Sequence, residues 1–266
     1  MSSTPTTEIT DKLKNNSIHN HPAKGDIPLP EIYYGGYDIS YVMLLIPVLI
    51  FSLWAQASVS STFAKYNKVA NGRRMTGYDA ARLILDRNGL YHVAIEHIQG
   101  NLTDHYDPRA NVIRLSDSVY GTASIAAVGV AAHEAGHAVQ YATGYGPIRL
   151  RASIVNLTQF ASQWSIYILM FGILLSFGVL AQVGFWLYAV VAFFQLVTLP
   201  VEFNASRRAI TALEESGSLD RKELTGAKKV LSAAAMTYVA ALLSALLQLL
   251  RLWSIVQSND RNNRRR

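Results

Sequence analysis

The stretch ASIVNLTQFASQWSIYILMFGILLSFGVLAQVGFWLYAVVAFFQLVTLPV, residues 152–201, contains no Asp, Glu, Lys, Arg or His. A helix rises 1.5 Å per residue and crosses a bilayer in about twenty residues, so a run this long suits two spans rather than one. Helices over 160–180 and 183–200 are predicted, with the turn at Gln182, Val183 and Gly184, where a polar residue and a glycine interrupt the aliphatic run. Two further uncharged stretches have the length of a span: 39–63, despite Pro47, and 230–250, flanked by Lys228, Lys229 and Arg251. Four transmembrane helices result. Buried helices of a large soluble core are the alternative, and their length and lack of charge disfavour it.

Composition agrees. Half of the 266 residues are hydrophobic and 16% are charged, against about a quarter in soluble proteins. The chain has no cysteine, which excludes disulfides and thiolate ligands. Any transition-metal site must therefore use imidazole, carboxylate and water. The net charge of +6 gathers beside apolar segments and in the Arg264, Arg265, Arg266 tail, which suits anionic lipid headgroups. No nucleic-acid motif accompanies it, so nucleic acid is not expected as a partner.

Just before the uncharged run lies His133-Glu134-Ala135-Gly136-His137, an HExxH pattern inside a helix-like run from about 123 to 143 that Gly144 and Gly146 end. Residues i and i+4 lie one turn apart, so both imidazoles project from one face and can grip one cation. The glutamate between them then lies beside the metal's open position, where it can take a proton from water. The spacing thus points to a metal-dependent hydrolase. Between the first span and this motif, Thr76 caps a helix that Gly89 terminates, and HVAIEH (92–97) and NVIRLS (111–116) read as short strands. The segment Asp104-His105-Tyr106-Asp107-Pro108 reads as turn chemistry.

A catalytic zinc usually takes three protein ligands. No histidine follows His137, so a downstream third ligand must be a carboxylate, and Glu202 is the first charge after the uncharged run. Two crossings return it to the side of His133 and His137. Alternatively, Glu202 marks a helix end or pairs with Arg207 or Arg208. The remaining histidines, His19, His21, His92, His97 and His105, precede the motif, and His92 and His97 read as structural or exposed.

HEAGHAVQ at 133–140, IRLSDSVY at 113–120 and PVEFNASRRA at 200–209, with an N-terminal span, resemble the bacterial neutral zinc metallopeptidases of the YugP type over about 38–255. EFNAS also resembles the E-F-x-A-D segment of the HtpX and CAAX-processing membrane proteases. The resemblance implies a mainly α membrane protein with a small α+β, zincin-like domain carrying HExxH on a helix. It implies zinc held by His133, His137 and Glu202, with Glu134 as general base of a gluzincin-like endopeptidase. Ser206 stands where the wider group has Asp, so a carboxylate behind a zinc-bound histidine is not implied. The alternative is a membrane-anchored zinc protein without turnover, acting as a partner or quality-control factor.

The expected organisation is a flexible polar segment 1–38, a span 39–63, a protease domain 64–151, a transmembrane hairpin 152–201, a third-ligand segment 202–229, a span 230–254 and a basic tail 255–266. The expected partners are the bilayer and a protein or peptide substrate, membrane-associated or close to the membrane. Substrate is expected to add to the edge of the strand at 111–116. His105, Tyr106, Arg207 and Arg208 are open choices for an oxyanion donor. Trp54, Trp164, Trp186 and Trp253 are expected to face lipid. Lys65, Lys68, Arg149, Arg151, Arg207, Arg208, Lys228 and Lys229 flank the helix ends on the motif side. The positive-inside rule then puts the catalytic side in the cytoplasm of a bacterial cell membrane, against the argument from the Arg-rich C-terminus.

Overall fold

The computed structural model describes residues 33–34 and 37–263. Of the polar segment 1–38, only Tyr33–Tyr34 (β1) and Tyr37–Asp38 (β2) are described, and these pair antiparallel. The remainder of that segment, with His19 and His21, lies outside the described residues, as do Arg264, Arg265 and Arg266.

The protein is mainly helical. Helix α1 is Ile39–Asn67, α2 Gly77–Arg87, α3 Ile125–Ala142, α4 Gly146–Leu174, α5 Gly178–Glu215 and α6 Arg221–Asn263. Four of them, α1, α4, α5 and α6, are long and apolar enough to cross a membrane. Large side chains point outward from them, including Leu53 at 64% and Leu174 at 77% exposure. Trp54, Trp164, Trp186 and Trp253 are exposed on the same helices, as lipid-facing residues would be.

The turn of the central hairpin is not at Gln182, Val183 and Gly184. It lies at Leu175, Ser176 and Phe177, where the Phe177 N–H reaches the Gly172 carbonyl (2.8 Å) and the Ser176 N–H reaches Ile173 (3.0 Å). Ser176 adopts φ 55°, the left-handed conformation that usually falls to glycine at such a helix end. Gly184 instead lies inside α5, where an added Cβ would sit 2.5 Å from the Leu169 nitrogen. Gly172 faces Ala181 as closely, at 2.2 Å from its nitrogen. These glycines bring two membrane helices together, which in lipid depends on close packing rather than on the hydrophobic effect. Helix α5 also runs through Pro200 to Glu215, so Glu202 lies within a helix and does not mark its end.

The remaining elements form the soluble-like part. Thr76 and Asp79 cap α2 reciprocally, and α2 gives way to Gly89 at φ 71°. Strands β3 (Ala94–Ile98), β4 (His105–Asp107) and β5 (Val112–Ser116) form a sheet of order β3-β5-β4. Here β3 runs parallel and β4 antiparallel to β5. Two expectations are corrected. The segment read as a turn contains β4, and β5 is central with both edges occupied, so no substrate strand can add at 111–116.

Helix α3 is rich in Ala and Gly and buried nearly all round, as a helix at the centre of a core must be. It is surrounded by Leu85 of α2, Ile113 and Leu115 of β5, Leu213 of α5 and Leu231 of α6. Its start is fixed by Ser124, whose hydroxyl caps the Ala127 N–H (3.0 Å) and donates to Asn67 Oδ1 (2.6 Å) at the end of α1.

Candidate metal centre

Helix α3 carries His133, Glu134 and His137, and α5 carries Glu202. Their meeting depends on Gly136. A Cβ there would lie 2.7 Å from the Ala205 carbonyl oxygen, so only glycine lets the two helices approach this closely. On α5, Glu202, Ala205, Ser206 and Ala209 recur at helical spacing, and Ala205 and Ala209 are fully buried. Small residues thus make the contact, and polar ones flank it.

Across that contact Glu202 Oε2 lies 3.2 Å from His133 Nε2 and 3.5 Å from His137 Nε2. The ligand atoms of the three residues all lie within 4.8 Å of one another. Zinc bound tetrahedrally at about 2.05 Å places its ligand atoms about 3.3 Å apart. The two distances therefore match two edges of such a tetrahedron, and two imidazoles with one carboxylate are a donor set that zinc accepts. His105 turns its Nδ1 to the Thr103 carbonyl (2.9 Å) and His97 pairs with Asp117 (2.7 Å), so neither joins the cluster.

Each imidazole is oriented from behind. His137 Nδ1 lies 3.0 Å from Gln140 Oε1, and the Gln140 amide donates to the Val201 carbonyl (2.8 Å) and Asn204 Oδ1 (3.0 Å). Those two acceptors fix the amide so that its oxygen faces the ring. His137 Nδ1 then carries the proton and Nε2 presents its lone pair. His133 Nδ1 lies 3.1 Å from the Ser206 hydroxyl. Ser206 thus occupies the supporting position that an aspartate would fill, with a neutral oxygen.

Glu202 is 2% exposed, and its other oxygen, Oε1, accepts from Arg151 (3.3 Å) rather than from Arg207 or Arg208. Tyr238 of α6 lies close enough to Glu202 to feel its charge. Sequence reasoning assigned Arg151 only to a helix end and gave Tyr238 no role. Arg151 has a readable signal, since it and Glu202 bracket the uncharged run and a hairpin brings its own ends together. Tyr238 had none.

Glu134 is 8% exposed and its Oε2 accepts from the Tyr106 N–H of β4 (3.0 Å). That N–H turns away from β5, so the free edge of β4 faces the carboxylate. Asp104, just before β4, accepts from the Ser116 N–H (2.7 Å) and hydroxyl (2.9 Å). Burial pushes Asp104 above its ordinary range, the Ser116 bonds oppose this, and the neighbouring Glu134 charge adds to it. At His137 burial favours the neutral ring, but Glu202 and Glu134 outweigh it and raise its proton affinity. The field that attracts a proton there also attracts a divalent cation.

Comparison with known proteins bears on what this cluster is for. The family described as "Putative neutral zinc metallopeptidase" matches residues 41–257. The chain belongs to that family. It is also 48% identical over 211 residues to the "Putative membrane protease YugP" of Bacillus subtilis (strain 168), covering 79% of this chain and 94% of that relative. No solved structure matches it. The protein is accordingly a zinc metallopeptidase with four candidate membrane-spanning helices, as the resemblance implied.

Proposed function

We propose that the protein is a membrane-bound zinc endopeptidase whose metal is held by His133, His137 and Glu202 and whose general base is Glu134. The observation that carries this reading is the convergence of both Nε2 atoms on Glu202 Oε2 across the Gly136–Ala205 contact, with Glu134 alongside. Zinc bound there supplies Lewis acidity, activating water for attack and polarising the scissile carbonyl. Everything else falls to the chain's own groups. Glu134 takes the proton of the attacking water and returns it to the leaving amine, and the Tyr106 N–H holds its carboxylate in place. Arg151 engages one oxygen of Glu202 and leaves the other to the metal.

An extended peptide would bind along the free edge of β4, not β5. Strand addition exposes a peptide bond at a fixed place along the edge, and the edge at Tyr106 is the one that meets Glu134. Substrates are proteins or peptides reached at the membrane, because Glu202 sits on a helix that is itself a candidate span. Lys65, Arg151, Arg208 and Lys228 near the helix ends on this side support a cytoplasmic site by the positive-inside rule.

Glu134→Gln tests the assignment. The variant keeps its zinc, because the glutamate is not a ligand, and loses peptide hydrolysis by a factor of at least about 100. Hydrolysis persisting at the wild-type rate in zinc-loaded Glu134→Gln would remove Glu134 as the base.

A further inference from the structure

A second feature lies away from the metal cluster. Helices α1 and α6 flank an open groove of about 590 Å³ lined by Trp54, Ser58, Thr62, Lys65, Lys228, Ser232 and Met236, among others. The helices touch where the Tyr66 ring packs on Gly226, at 2.8 Å from where a Cβ would stand, and the groove opens below that contact. Lys65 lies in the last turn of α1 and Lys228 and Lys229 near the start of α6, so three lysines line one end of the groove. Trp54, Ala233 and Met236 make the other end apolar. From Lys65 to Trp54 the helix rises about 16 Å, the thickness of about one leaflet of a hydrocarbon core.

The chemistry of the lining is one-sided. No carboxylate lines the groove, and among the described residues none of the three lysines has an ion-pair partner. Thr225 spends its hydroxyl on the Arg221 carbonyl (2.8 Å), as serines in membrane helices commonly do. Ser58, Thr62 and Ser232 make no such bond. The Lys65 ammonium lies over the Tyr66 ring (5.6 Å), and three lysines without a counter-anion and three uncommitted hydroxyls above an apolar channel complement a phosphate diester with an acyl chain beneath it.

We infer that this groove is a binding site for an anionic phospholipid, with the headgroup phosphate on Lys65, Lys228 and Lys229 and an acyl chain lying along α1 and α6 towards Trp54. Occupancy bears on the enzyme through the rim. Gly226 also meets Ile125, the first residue of the HExxH helix, at 3.0 Å from the Cβ position, so lipid bracing α1 against α6 braces the start of α3.

The test uses the full chain in neutral detergent, titrated with phosphatidylglycerol or phosphatidylcholine of identical chains, or with inorganic phosphate. Native mass spectrometry reads bound lipid, and thermal unfolding reads stabilisation. Each lysine near an anionic headgroup is worth about fivefold in affinity, so Lys65→Gln, Lys228→Gln and Lys229→Gln together weaken phosphatidylglycerol binding on the order of 100-fold. Replacing Arg87 and Arg109 with Gln removes positive charge away from the groove and leaves binding unchanged. Ser232→Trp fills the groove with the lysines intact and abolishes binding, which keeps the test decisive if the triple variant does not fold. Equal retention of the two lipids by the wild type, undiminished phosphatidylglycerol binding in Ser232→Trp, or equal stabilisation by inorganic phosphate would each overturn the assignment.

Discussion

Gly136→Ala is the smallest change that should damage the metal site without touching a ligand. The new methyl would lie 2.7 Å from the Ala205 carbonyl oxygen, about 0.7 Å short of an ordinary contact. Backbone stands on both sides of the clash, so α3 and α5 must separate by most of that amount. Glu202 lies one turn from Ala205 and moves with it, stretching its spacings of 3.2 and 3.5 Å to the imidazoles. Zinc sites tolerate about 0.2 Å in ligand distance. A loss of about 10- to 100-fold in zinc affinity is expected, about 1.4 to 2.7 kcal/mol. Global stability changes less, because overpacking costs about 1–3 kcal/mol while alanine for glycine within a helix returns about 1. The comparison is Gly129→Ala in the same helix, where the added Cβ meets Ala227 at 3.4 Å, an ordinary contact, and zinc affinity should be unchanged. Zinc competition against a chelator of known affinity measures both. Wild-type affinity in folded Gly136→Ala would refute the argument that glycine sets the distance between the helices.

Other changes probe the supporting bonds. Gln140→Ala removes the partner of His137 and two anchors to α5, and should weaken zinc about 10- to 100-fold in the same competition. Ser206→Ala should cost about tenfold, and Ser206→Asp should tighten zinc beyond the wild type by placing a charge behind His133. Tyr106→Pro deletes the N–H on Glu134 at an edge strand that accepts proline; kcat for a peptide substrate should fall at least tenfold with zinc content unchanged, while Tyr106→Phe keeps its rate. Gly184→Leu drives a side chain into the Leu169 backbone and should abolish assembly of the folded protein in membranes, which protease resistance of the purified product would reveal.

Much of this arrangement was legible because it rests on local periodicity. The i, i+4 spacing of His133 and His137 determines a shared helix face wherever that helix lies, and an even number of crossings suffices to bring Glu202 back. Two helix ends were similarly open to reading, since Gly89 and Gly144 adopt the left-handed conformation that ends a helix. A third was not, because Ser176 takes that role while Gly184, the apparent breaker, serves packing inside α5. Strand β4 was hidden for a different reason. Asp104, Asp107 and Pro108 carry turn composition, and the strand exists because β5 supplies a register for it. The roles of Gln140 and Ser206 needed the distance between α3 and α5, which no single-helix pattern encodes.

X-ray absorption at the zinc edge, on wild type and Glu202→His, tests the central claim that one zinc joins the HExxH helix to the carboxylate at the far end of a fifty-residue uncharged run. The wild type should show outer-shell scattering from two imidazoles with oxygen completing the first shell, and Glu202→His should show three imidazoles. An unchanged two-imidazole spectrum in zinc-loaded Glu202→His would place the third ligand elsewhere and contradict the account.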